Sequence, residues 1–165
     1  FDTICILLDD AVEEEQECIE ISAEELQELV EEGEARCYPL SCKGESLKLK
    51  KVFYEGDFSK IPKKEYTKWM DYDKIKSGFC IRKRENGDFF ISDGKGHHKK
   101  LKSYFIDEKI PLDKRNKLWL LAQDSLVLWL VGGRISEHLK VTEETKTVIE
   151  IQYIGGKENE LCRWT

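Results

Sequence analysis

The sequence predicts an α+β fold, a mostly β-sheet, sandwich-like core with a few short helices, and three observations carry that prediction. Leu126 to Val131 is an apolar run without polar alternation, the pattern of a central strand covered on both faces. Leu47 to Tyr54 and Ile149 to Tyr153 alternate apolar with polar side chains, as strands with one wet face do. Helical segments are few and do not follow the strands one for one, which argues against a doubly wound parallel sheet. At 165 residues, 40% of them hydrophobic, the chain is one domain's worth of sequence with enough apolar matter for a core. Disorder is not expected.

Taken in order, Phe1 in place of methionine predicts a piece of a longer protein or a processed product. Ile4 to Leu8 is too short, and too acidic around it, for a signal-peptide core. A helix is expected from Ala23 to Glu32. Ser22 and Glu25 have capping-box spacing, Ile21 and Leu26 that of a hydrophobic staple, and Gly33 supplies the stop. Only Leu26, Leu29 and Val30 are apolar there, so the helix should lie on the surface with its acidic face wet. In the Leu47 to Tyr54 strand, Lys48 and Lys50 take the open face, and the phase slip at Lys51 predicts a bulge. Tyr66 to Tyr72 reads as extended. A Ser77-Gly78 turn leads to a strand from Phe79 to Arg84 and then to a Glu85-Asn86-Gly87-Asp88 turn. Next come a flexible loop, Gly94 to His98, and a lysine-rich helix beginning at Lys99 and ended by Pro111. Leu118 to Ala122 and Leu126 to Val131 form a hairpin through a three-residue loop, Gln123-Asp124-Ser125. Gly132-Gly133 suits a tight turn that sets Arg134 at the sheet's end.

The net charge of −6 conceals a strong polarity. Residues 1–34 hold 14 acidic and no basic side chains, whereas residues 35–118 hold 22 basic and 12 acidic ones. The expected organisation is an acidic segment with one helix at 1–34, a basic domain at 35–156 and a tail at 157–165. Such asymmetry marks a nucleic-acid surface beside an acidic appendage; mutual neutralisation within the fold is the plainer alternative. The densest unit is Lys99 to Arg115. On a helical wheel Leu101, Tyr104 and Phe105 share a face, Lys99 and Lys102 lie opposite, and Ile106 falls on the basic side. Lysines at a helix start oppose its dipole, and a phosphate bound there with the help of the preceding glycine loop would relieve the conflict. A solvated lysine face on a core helix explains the same pattern without a ligand.

Catalytic chemistry finds little footing. Cysteines 5, 18, 37, 42, 80 and 162 show no metal-type pairing and read as reduced cytosolic thiols. A zinc set of Cys37, Cys42, His97 and His98 is the remote alternative. Asp71 and Asp73 lack a third acidic ligand and read as structural. His97 and His98 have no nucleophile in an evident motif and join the basic surface. No phosphate-cradling loop, dinucleotide fingerprint or membrane-spanning stretch occurs. The residues alone therefore predict a binding module. Two rivals remain: a dimerisation or protein-interaction domain in which the acidic helix docks on another copy's basic patch, and an independent enzyme using Asp71, Asp73 and the histidines.

Three segments in this order resemble the C-terminal region of bacterial tRNA(Ile)-lysidine synthetase: IPKKEYTKWMDYDKIK from Ile61 to Lys76, IRKRENGD from Ile81 to Asp88 with the following KKLKSYFIDEKIP, and LWLVGGRISEHLKVTEETK from Leu128 to Lys146. The likeness spans residues 61–156, and residues 1–60 carry no matching motif. Where the family usually has Arg-Pro before Gly87-Asp88 this chain has Glu85-Asn86, and Trp119 stands where a proline is common. The resemblance implies a fold similar to a domain of the phenylalanyl-tRNA synthetase β chain and a role in gripping a tRNA acceptor stem. It implies tRNA(Ile) and an N-terminal catalytic domain of the same chain as partners, with a homodimer left open. The parent enzyme would be a cytoplasmic ligase that joins lysine to the wobble cytidine. Its ATP and Mg2+ would belong to that catalytic domain, whose Ser-Gly-Gly loop is not in this sequence, and this fragment would hold no cofactor. By the same resemblance Arg82, Arg84, Lys95, Lys99, Lys100, Lys102, Arg115 and Arg134 are expected to meet RNA, and no catalytic or metal-binding residue is expected here.

Overall fold

The computed structural model describes residues 18–41 and 43–155; Phe1, the run Ile4 to Leu8, Cys5, Cys42, Cys162 and the tail 157–165 lie outside them. Two sheets and a helical layer make the fold. The larger sheet has the order β1 (Cys18–Ser22), β5 (Gly78–Arg82), β8 (Leu120–Gln123), β9 (Leu126–Leu130), β6 (Phe89–Ile91) and β7 (His98–Lys100). Its pairings are antiparallel except for β6 with β9. The smaller sheet, wholly antiparallel, runs β2 (Arg36–Pro39), β3 (Ser46–Phe53), β10 (Thr147–Ile154) and β4 (Thr67–Asp71). Four short helices complete it: α1 (Ala23–Glu28), α2 (Tyr72–Ile75), α3 (Leu101–Asp107) and α4 (Leu112–Arg115).

Alternation places the core between the sheets. Leu47 and Leu49 of β3, Ile149 and Ile151 of β10 and Met70 of β4 face Ile81, Leu121 and Leu128 of the larger sheet, all fully buried. Burying a side chain of this size contributes roughly 1.5–3 kcal/mol. The opposite face of the larger sheet is covered by α3, whose Leu101, Tyr104 and Phe105 pack with Phe90, Leu120, Val127 and Leu130. Strand β9 thus has apolar neighbours on both sides, as its unbroken apolar sequence predicts, and Val127 to Leu130 show no exposure.

Several local expectations are corrected. The first helix stops at Glu28, and Glu32, not Gly33, takes the left-handed backbone with φ 57°. Ser22 Oγ accepts from the Glu25 amide at 3.2 Å, but the Glu25 carboxylate accepts from the Tyr38 hydroxyl at 2.8 Å instead of turning back to complete the box. Strand β3 has no bulge: it pairs with β10 in unbroken register, and Lys51 keeps the inward phase, its ammonium 4.4 Å from the centroid of the Tyr72 ring. The register shift falls in β8, between Leu121 and Ala122. Gln123 pairs with Leu126, so the hairpin loop is two residues, Asp124-Ser125, with Asp124 at φ 52°. Gly78 (φ 98°) is required where β5 meets β1, since a Cβ there would lie 2.6 Å from the Ile21 carbonyl oxygen. Residues 18–34 are woven into the fold: β1 extends the larger sheet beside β5, and Leu26 and Leu29 enter the main core.

Candidate nucleic-acid interface

The polypeptide reaches the lysine-rich region through the turn after β5. Asp88 N–H donates to the Glu85 carbonyl at 3.3 Å, which closes the expected four-residue turn with Gly87 at φ 89°. Strands β6 and β7 then form a hairpin around the glycine loop, a pairing whose sequence signal is the short apolar run Phe89-Phe90-Ile91 directly after the turn. Lys99 and Lys100 are consequently strand residues, and α3 begins only at Leu101. The helix start offers no phosphate seat of the expected kind. Leu101 N–H is already taken by the Asp88 carbonyl at 2.9 Å, and Lys100 makes no side-chain cap.

The helix ends before Pro111. Lys109 is left-handed at φ 56°, while Ile110 N–H reaches the Phe105 carbonyl at 3.0 Å and Lys109 N–H the Ile106 carbonyl at 3.1 Å, a Schellman closure. Pro111 instead opens α4. With the apolar stripe of α3 pinned to the sheet, Lys102 and Ile106 point outward, Ile106 with 57% of its surface exposed. Lys95, Lys100 and Lys102 are exposed and carry no ion pair among the described residues. Lys99, beside them, salt-bridges Asp107. His97 pairs with Asp93, whose carboxyl is held below the usual carboxylate range by that ring and by the His97 amide. His98 stacks on Phe89 with ring centroids 4.3 Å apart.

The expected arginines separate into three environments. Arg84 and Arg115 converge on one ring: their guanidinium carbons lie 5.4 Å and 5.7 Å from the Phe105 centroid. Arg84 also donates to Asn116 Oδ1 at 2.7 Å, and Arg115 to the Ile110 carbonyl at 2.8 Å. Arg134 lies on another side, 5.7 Å from the Phe90 centroid, donating to the Ser92 carbonyl at 3.2 Å. Arg82 is a correction. Its side chain is only 6% exposed and forms a bidentate pair with Asp88 at 2.9 Å and 2.8 Å, while further N–H groups serve the Lys83 and Asp124 carbonyls. Its hydrogen bonds to Asp88 raise its pKa above the ordinary guanidinium value, against the opposing effect of burial. Every direction from which a phosphate would approach is protein. Glu85 lies 3.6 Å from Arg82 Nε, so this turn acid has a local partner. Reading the sequence alone missed Lys83, whose ammonium sits 3.8 Å above the Trp119 ring.

The other chemical candidates resolve as structure. Asp71 caps α2 by accepting from the Asp73 amide at 3.1 Å, and its other oxygen accepts from the Thr145 hydroxyl at 3.0 Å. Among the described residues no cluster of three metal-ligating side chains occurs, and no helix is long and apolar enough to cross a membrane.

Comparison with known proteins agrees with this layout. Residues 79–152 match the family described as the TilS substrate C-terminal domain, a span that covers the larger sheet from β5 onward, α3 and most of β10. A tRNA(Ile)-lysidine synthase of Caldanaerobacter subterraneus subsp. tengcongensis is 44% identical over 103 residues, 61% of this chain and 22% of that protein. The Clostridium tetani tRNA(Ile)-lysidine synthase is 44% identical over 96 residues, 58% of this chain and 21% of its own length. The corresponding protein of Parabacteroides distasonis is 32% identical over 109 residues, 66% and 25% of the two chains. The chain thus spans about a fifth to a quarter of the length of these curated relatives. A solved structure titled "Crystal structure of TILS C-terminal domain" superposes with a TM-score of 0.57 at 24% identity, covering 78% of this chain and 94% of that one, which establishes the shared fold.

Proposed function

We propose that this chain, whose residues 79–152 match the TilS substrate C-terminal domain family, is the tRNA-holding part of a tRNA(Ile)-lysidine synthase. One observation carries the reading: Lys95, Lys100 and Lys102 stand exposed and without ion-pair partners among the described residues, on a helix and hairpin anchored by a dedicated apolar core. Lysines held outward on a rigid element suit the phosphates of an A-form stem, which proteins recognise by shape and backbone more than by base edges. Arg84 and Arg115, paired around Phe105, extend the same surface with guanidinium groups of fixed orientation.

On this reading the chain holds RNA while an N-terminal catalytic domain, supplying the ATP and Mg2+ chemistry in the cytoplasm, joins lysine to the wobble cytidine. The acidic side chains of α1 and of the turn after it do not favour docking onto another copy. Glu25 and Glu28 are engaged with Tyr38 and Arg36, Glu31 accepts from Thr147, and Glu32 accepts from the Phe53 amide.

Competition anisotropy tests the assignment. An acceptor-stem minihelix should displace labelled tRNA(Ile), and an anticodon stem-loop of similar charge should displace it poorly. Both should weaken with salt, with a slope corresponding to about four neutralised phosphates. Equal competition reduces the role to general polyanion binding; absence of binding near physiological salt rejects it.

A further inference from the structure

A groove of about 570 Å³ is lined by residues of β4, of the turn after β9 and of α3. That volume falls within the range of roughly 300–1,000 Å³ typical of small-ligand clefts and is too small for a duplex. Its walls combine Lys68, Arg134 and Lys140 with Trp69, Tyr104 and Ile135, and Glu108 is the one acid lining it.

Lys68 is the unusual member. It pairs with Ile151 in the β4–β10 register and therefore shares the inward phase of Met70, and it is half-buried where it lines the groove. Burial pushes that ammonium below its ordinary pKa, Lys140 adds to the effect and Glu65 opposes it. An inward charge on an edge strand guards against edge-to-edge pairing, but that role does not require Lys140 and Arg134 at the same mouth. Glu137 bridges these two, 2.9 Å from Lys140 and 3.9 Å from Arg134. Trp69, next to Lys68 on β4, has the opposite phase, its Nε1–H donating to Glu150 at 3.3 Å and its ring edge-on to Tyr54 with centroids 6.2 Å apart. Tyr104 of the groove and Lys102 of the lysine layer both belong to α3, so groove and layer share that element.

Resting on the RNA-holding role above, we infer that this groove receives an unpaired nucleotide at the end of the bound stem, its phosphate against Lys68, Arg134 and Lys140 and its base against Tyr104 and Ile135. The layer of exposed lysines reads a duplex; the groove reads where the duplex stops.

The test uses the whole chain and three labelled RNA hairpins of identical stem: blunt, with a short unpaired 3′ extension, and with a short unpaired 5′ extension. One extension should bind about five- to tenfold more tightly than the blunt stem, the gain expected of one stacked base with its phosphate. Lys68→Gln with Lys140→Gln should erase that gain and leave blunt-stem affinity within twofold, and Lys68→Arg should retain it, with thermal melts confirming that each variant is folded. No gain from either extension overturns the inference, as does a gain that survives the double glutamine variant. Micromolar binding of free adenosine monophosphate would assign the groove to a mononucleotide and likewise overturn it. Failure of all three hairpins to bind rejects the RNA-holding role itself, whereas good blunt-stem binding without an extension effect rejects the groove alone.

Discussion

The turn after β5 and the lysine layer of β7 and α3 are both built around cations, yet they use them oppositely. At the turn, Arg82 is enclosed, its guanidinium divided between Asp88 and backbone carbonyls. Asp88 in turn accepts from the Glu85 amide at 2.8 Å through its side chain and from Leu101 N–H at 2.9 Å through its carbonyl. One buried pair thereby joins β5, the β8–β9 turn and the start of α3. In the lysine layer, among the described residues, only Lys99 has a carboxylate partner, Asp107, and the scaffold below is apolar. The contrast teaches that a basic residue's role follows from whether the fold brings it a carboxylate: Arg82 positions the platform and Lys100 and Lys102 are presented by it.

The sharpest way to break the comparison is Arg82→Ala. With Asp88 only 1% exposed, losing the guanidinium strands a buried carboxylate and should cost about 3–5 kcal/mol of stability. Urea unfolding measures it; a loss below about 1 kcal/mol would show that Arg82 does not hold the platform. A smaller effect, on binding and not on stability, is expected for Lys100→Glu with Lys102→Glu. Each lost charge-assisted contact is worth about 1.5–3 kcal/mol, so anisotropy should register a drop of several kcal/mol in tRNA affinity with the unfolding midpoint unchanged. An early melt with normal binding would reverse the assignment of the two regions. The smallest effect belongs to Lys99, the one layer lysine with a carboxylate partner. Asp107→Ala removes an exposed pair worth at most about 1 kcal/mol, and by freeing Lys99 it should slightly strengthen RNA binding and steepen its salt dependence; weaker binding would mean that Asp107 orients Lys99 toward the RNA.

What the sequence determined by itself was whatever depends on near neighbours along the chain. The buried strand Leu126–Leu130, the half-wet strands around Leu47 and Ile151, the Ser22 cap and the outward placement of Lys102 and Ile106 all follow from periodicity and capping chemistry, and the motifs from Ile61 to Lys146 pointed to the family whose model residues 79–152 match. Tertiary structure decided whatever depends on a distant partner. Lys51 looked like a break in phase until Tyr72 supplied a ring for its ammonium, and Lys99 and Lys100 looked helical until Phe89 and Phe90 offered a strand to pair with. Arg82 and Arg84 are two positions apart and chemically alike, but Arg82 is buried and Arg84 only half-buried, because Asp88 and the Asp124 carbonyl meet only the first. Local periodicity acts over a few residues, whereas a desolvated ion pair depends on which groups the completed fold brings within about 3 Å.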